Sequence, residues 1–128
     1  MASLVVADNF ETSTGAVPQL GGASATIRLC SAWVNFNGNS TIAIRDSFNV
    51  SSLTDRGVGL YTVNFTTALT TATYSALANC AESITDATAR NRMALTTVYS
   101  TTSVYVNTFT TAAAADDVEL VVAQVFGN

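Results

Sequence analysis

Residues 48–67 read FNVSSLTDRGVGLYTVNFTT, and no other stretch restricts the fold as much. Two arms rich in Val, Leu, Thr, Tyr and Phe flank Asp55-Arg56-Gly57-Val58-Gly59, whose aspartate and two glycines supply turn chemistry. Strand geometry sends alternate side chains to opposite faces. On the second arm Tyr61, Val63 and Phe65 then share one face, and Leu60, Thr62 and Asn64 the other. The segment is predicted to be a β-hairpin with one apolar face.

The same period of two recurs along the chain. ATIRLCSAWVNF (25–36) is a long alternating run, within which Trp33, Asn35 and then Asn37 oppose Ala32, Val34 and Phe36. Asn37-Gly38 is expected to turn the chain through positive backbone angles. TIAIRDSFNV (41–50), MALTTVYS (93–100) and TSVYVNTFT (102–110) are further strand candidates. VELVVAQVFG (118–127) is nearly continuous in apolar character, so a strand buried on both faces is expected. ATYSALANCAES (72–83) has the alanine content of a short helix, but its neighbours favour extended structure; TAAAADD (111–117) is read as a loop or one helical turn. Residues 1–24 hold one short apolar stretch, Leu4-Val5-Val6, followed by a Thr/Ser/Gly-rich segment too poor in apolar residues for a core of its own. The expected organisation is an N-terminal attachment or oligomerisation segment (1–24) before an all-β antiparallel sandwich or jelly-roll-like domain (25–128).

Composition removes several function classes. Charged residues are 11 % of the chain, lysine and histidine are absent, and the formal net charge is −4. Five scattered arginines on an acidic protein give no basic face for phosphates or anionic lipid, so nucleic acid and membrane are not expected partners. No run is long and apolar enough to span a bilayer. The opening MASLVVADNFETSTG has no basic n-region, and synthesis and folding in cytosol are expected. Cys30 and Cys80 match no zinc spacing and are read as small apolar residues, not a disulfide.

Catalysis finds little to work with. Without histidine there is no Ser-His-Asp triad, and without lysine no Schiff base. Two facing carboxylates could hydrolyse a glycoside, but nothing in the spacing selects a pair. Asp116-Asp117-Val118-Glu119 lacks the spacing of a calcium loop and is read as a polar lead into the last strand. The sequons at Asn39, Asn49 and Asn64 are discounted as chance matches. Trp33 is read as a core or subunit-interface residue before a sugar platform. No catalytic, cofactor or metal residue is assigned.

The motifs AWVNFNG, SFNVSSLTDRGVGLYTVNFTTAL, Tyr74 and the closing VAQVFG occur in this order across 32–127. The pattern resembles the tail-fibre and tail-tip proteins of bacteriophages, including those of cyanobacteria and marine bacteria, with the central hairpin its most specific part. The resemblance implies a β-rich virion protein at a fibre tip or on the particle surface. It also implies a homotrimer that binds a host surface glycan by non-catalytic contacts. Where the family's tip often reads Asp-Asn-Gly-Thr-Gly-Asp, this chain has Asp55-Arg56-Gly57-Val58-Gly59-Leu60, which changes the tip's surface.

Recognition on rigid scaffolds falls to loops. The receptor-contact candidates are therefore Asp55, Arg56 and Gly57 on the hairpin tip, and Asp86, Arg90 and Arg92 on the next loop; the Arg90-Asn91-Arg92 pair is otherwise read as a solvated loop. Residues 1–24 would join other tail or capsid proteins. The alternatives are a capsid decoration or fibre-adaptor protein that never touches the host, and a carboxylate-based glycan hydrolase.

Overall fold

The computed structural model describes residues 30–86 and 91–127. Among them there are eight strands and no helix: β1 (Ala32–Asn37), β2 (Ala43–Phe48), β3 (Val50–Asp55), β4 (Leu60–Phe65), β5 (Ser75–Ala81), β6 (Arg92–Tyr99), β7 (Ser103–Thr110) and β8 (Leu120–Phe126). They form two antiparallel four-stranded sheets, ordered β2-β1-β8-β5 and β3-β4-β7-β6. The expected N-terminal segment, 1–24, lies outside the described residues.

The two sheets pack their apolar faces together as a β-sandwich. Ala32, Val34 and Phe36 of β1 meet Tyr61, Val63 and Phe65 of β4, Val104 and Val106 of β7, and Val121, Ala123 and Val125 of β8 in one buried cluster. The hairpin's predicted inner face is thus the observed one. The Phe36 ring meets Tyr61 edge-on (centroids 5.2 Å, 75°), and Phe65 meets Tyr74 likewise (6.0 Å, 69°). Such pairs add about 0.5–1.5 kcal/mol beyond area burial. At one margin small residues, Ala76 and Ala78 of β5 and Ala94 of β6, let the sheets approach closely enough for the Thr96 hydroxyl to donate to Ala76 O (3.0 Å).

Several expectations are corrected. The run 25–36 is not strand throughout: Cys30 and Ser31 precede β1, and 25–29 lie outside the described residues. Positive φ after β1 falls on Ser40 (61°), not on Asn37-Gly38. Gly38 is required for space instead, since a Cβ there would sit 2.6 Å from the Tyr61 hydroxyl. Phe48 does not belong to the hairpin. Asn49 (φ 54°) turns the chain from one sheet to the other. Its side chain ties that corner together, donating to Ser31 O (3.0 Å) and accepting from Thr67 N–H (2.8 Å). β8 is buried on one face only; Leu120, Val122, Gln124 and Phe126 point outward. Trp33 is not core: it lies half-buried on the outer face, between Phe48 and Gln124 in register. The 72–83 stretch is extended as expected, and 111–117 is a turn with Ala113 at φ 63°.

Val98 interrupts β6 at a register shift between Thr97 and Tyr99 with φ 44°, in a region β-branched residues strongly avoid. Its side chain is 59 % exposed, so little packing offsets the strain. Val98→Gly is expected to raise the urea midpoint by an amount equivalent to about 1 kcal/mol.

Candidate functional site

Strand direction gives the sandwich two unlike ends. At the first, Ser31 N–H donates to Val125 O, Gly127 N–H to the Ser31 hydroxyl, Leu69 N–H to Thr101 O, and the Tyr74 hydroxyl lies against Ser100 O and Ser103 O. This end, the base, is where the described chain begins at Cys30. Its described connections, Asn49, 66–74 and 100–102, carry one amide among hydroxyl and apolar residues and no charge.

The opposite end gathers the loops after β1, β3, β5 and β7. Among the described residues, three arginines (45, 56, 92) stand against seven carboxylates (46, 55, 82, 86, 116, 117, 119). All lie at this end except Asp46, which pairs with Asn35 part-way down β1. The loops interlock through these groups. Gly38 N–H donates to Val118 O (2.9 Å) and Gly59 N–H to Asp117 Oδ1 (2.7 Å). Ile84 N–H donates to Glu119 Oε2 (3.2 Å), and Arg45 approaches Glu119 at 4.0 Å.

Asp55, Arg56 and Gly57 sit together on the hairpin tip. Asp55 Oδ1 accepts from Gly57 N–H (2.9 Å), the side-chain turn expected of Asp two residues before Gly. The Arg56 guanidinium lies 3.9 Å above the Tyr105 ring on the outer face of the second sheet, a cation–π contact. Gly57 faces open space, and Val58 is 56 % exposed. Asp86 is exposed in the β5–β6 connection, and Arg90 lies outside the described residues.

Arg92 is placed differently from the solvated-loop reading. It opens β6, its side chain is only 16 % exposed, and it pairs with Asp116 through Nε and with Glu82 through Nη2 (3.2 Å). It clamps three segments together. Cys80 lies near this clamp; burial pushes its thiol pKa up, with Arg92 acting in the opposite direction. Asp117 is likewise occupied, lying 2.9 Å from the buried Tyr61 hydroxyl. Among the described residues no three of Cys, Asp and Glu converge as a metal site would require. Cys30 and Cys80 are free thiols placed along β8 at Val125 and Val121 respectively, too far apart to bridge.

A shallow polar depression, about 520 Å³, adjoins these loops. It is lined by Asn37, Asn39, Ser40, Thr41, Arg45 and Glu119, with Ala43. Sequence reasoning missed this group because Glu119 joins the β1–β2 hairpin only through the long-range pairing of β8 with β1; the one local signal was the Asn-Gly-Asn-Ser run at 37–40. The fold and this site define a two-sheet antiparallel β-sandwich with one charged, loop-bearing end. Compared with protein-family models, curated proteins and solved structures, the chain has no match.

Proposed function

We propose that the protein is a virion component of a bacteriophage, a short tail-fibre or tail-tip adhesin that works as a homotrimer and holds a host surface glycan without chemistry on it. The observation that carries this reading is the polarity of the sandwich. Loops, charges and the depression gather at the end away from Cys30, and among the described residues the base carries no charge. An adhesin needs that division between an attached end and a presented end. Amides, hydroxyls, one guanidinium and one carboxylate in the depression match the hydroxyl groups of a polysaccharide, and three copies would turn weak contacts into avidity.

Purified protein should bind host cells, and Arg45→Ala combined with Arg56→Ala should lower that binding at least tenfold while leaving the fold intact. Both side chains lie on the surface, where substitutions usually change stability by less than about 0.5 kcal/mol. Wild-type protein that ignores host cells but attaches to particles lacking it would favour the second reading, a decoration or adaptor protein. The base supports that reading, since its described connections carry no charge that packing against another virion protein would bury.

A further inference from the structure

The outer faces of the two sheets are finished differently. On the second sheet the domain's own polar side chains lie over the face: the Arg56 guanidinium stacks on Tyr105, and the Asn64 amide donates to Ser52 Oγ (3.1 Å) and Thr54 Oγ1 (3.0 Å). On the first sheet, strand pairing sets Phe48 of β2, Trp33 of β1, Gln124 of β8 and Leu77 of β5 in one row across all four strands. Phe126 adjoins this row on the base side and Val122 on the loop side. Phe48 is 55 % exposed, Leu77 63 % and Phe126 37 %, and none of these six residues is charged. Between β8 and β5 the face sinks into a depression of about 430 Å³, lined by Leu77, Ala78, Asn79, Val122 and Gln124. The row is about 15 Å long at the usual strand spacing, with a tryptophan in it and a hollow at one end. Exposed apolar surface of that extent marks a contact site.

We infer that residues 4–10 of the same chain cover this row, with Leu4-Val5-Val6 in the hollow beside Leu77 and Phe10 against Trp33 and Phe48. The described chain begins at the edge of this very face. Ser31 N–H donates to Val125 O and its hydroxyl to Gly127 O, so residues 1–29 join the domain at the base end of β1, beside β8 and two residues before Trp33. Length permits the return. Seven extended residues span about 23 Å, more than the row needs, and residues 11–29 can reach about 60 Å to bring the chain back to Cys30. Gly15 and Gly21-Gly22 let that connection reverse direction at low steric cost. Character matches as well: Leu4-Val5-Val6 is the apolar stretch of 1–24, residues 1–7 carry no charged side chain, and the row they would meet carries none. The tether also decides between this segment and a second copy. A segment joined to Cys30 meets the face at an effective concentration in the millimolar range, so a contact too small to hold a free partner is enough. The inference does not depend on the function proposed above.

Trp33 is the chain's one tryptophan, so its fluorescence reports directly on the row. The test is acrylamide quenching of the full chain, across a wide range of protein concentration. The chains compared are wild type, Leu4→Asp combined with Phe10→Asp, the milder Phe10→Ser, and Val58→Asp as an exposed apolar control on the loop end. The aspartate pair should raise the quenching constant at least twofold with an unchanged far-ultraviolet spectrum. Phe10→Ser should raise it by less, Val58→Asp should leave it at the wild-type value, and none of the constants should vary with protein concentration. Equal quenching of wild type, the aspartate pair and Phe10→Ser would overturn the inference. A wild-type constant that falls as protein concentration rises would place a second copy on the row, and would overturn it equally.

Discussion

Gly59→Ala should destabilise the sandwich by about 3–5 kcal/mol, a large share of what a domain of this size has to spare. Gly59 has φ +64°, where an L-residue costs about 1–2 kcal/mol. The larger part is steric. A Cβ here would collide with the Thr108 carbonyl and lie 2.8 Å from Asp116 N, and neither is a side chain that can swing away. Moving them strains a connected set of bonds: Thr108 N–H to Gly59 O (2.8 Å), Gly59 N–H to Asp117 Oδ1 (2.7 Å) and Asp116 N–H to Thr108 O (3.1 Å). Those bonds hold the β7–β8 loop against the hairpin, so the loop end should loosen before the base does. Gly57, two residues away, is the control. It also has positive φ (123°), but its Cβ would meet nothing, so Gly57→Ala should cost only the backbone strain. Urea unfolding of the two variants checks this; equal midpoints would show that strain, not the close approach, accounts for Gly59.

The hairpin was legible because every signal in it is local. Asp55, Gly57 and Gly59 specify the turn, and Tyr61, Val63 and Phe65 repeat at the spacing of one face. The strands themselves were legible for the same reason. Sheet membership was not. β1 pairs with β8 across most of the chain, and β4 pairs with β7 across some forty residues. No local pattern encodes those partners. Phe48 and Val50 read as one arm because a single residue between them, Asn49, makes the change of sheet, and Asn at positive φ leaves no periodic trace. β8 looked buried on both faces because its outward residues, Val122 and Phe126, are as apolar as its inward ones.

The candidate site was half legible. Composition pointed to loop tips, and Asp55, Arg56, Gly57 and Asp86 do lie at one end of the fold. Arg92 did not declare itself, because a guanidinium in solvent and one clamped between Asp116 and Glu82 read alike in sequence. The depression joins residues 37–45, one local hairpin, to Glu119, which arrives from the far end of the chain; only the Asn-Gly-Asn-Ser run hinted at it.

Tyr61 should make stability depend on alkaline pH. Its ring is fully buried against Phe36, and its hydroxyl lies 2.8 Å from Gly38 O and 2.9 Å from Asp117 Oδ1. One proton serves two acceptors, and the carboxylate is the stronger. Burial first, and then Asp117, push the Tyr61 pKa far above its ordinary 10.0; Tyr74 moves the same way, again through burial. The folded chain therefore holds a proton that the unfolded chain gives up. The stability tied to this proton is fully present below pH 10 and falls as the pH rises beyond it, by about 1.4 kcal/mol per unit for one such group. Tyr61→Phe should lower stability at neutral pH by about 1.5–3 kcal/mol through the lost hydrogen bond to a charged acceptor. It should also flatten the alkaline decline. Tyr61→Ala, which empties the site, should cost more, about 3–5 kcal/mol, with the same flattening. Gly38 supplies an internal check. Gly38→Ala sets a Cβ 2.6 Å from the hydroxyl and 3.0 Å from Val118 O, so it should be costly in the wild type. In Tyr61→Phe the closest of those contacts is gone, and the same substitution should cost measurably less. Denaturant midpoints from pH 7 to 11 on the four chains of that cycle measure both effects. Parallel pH curves for wild type and Tyr61→Phe would assign the alkaline loss to other tyrosines, Tyr74 first among them.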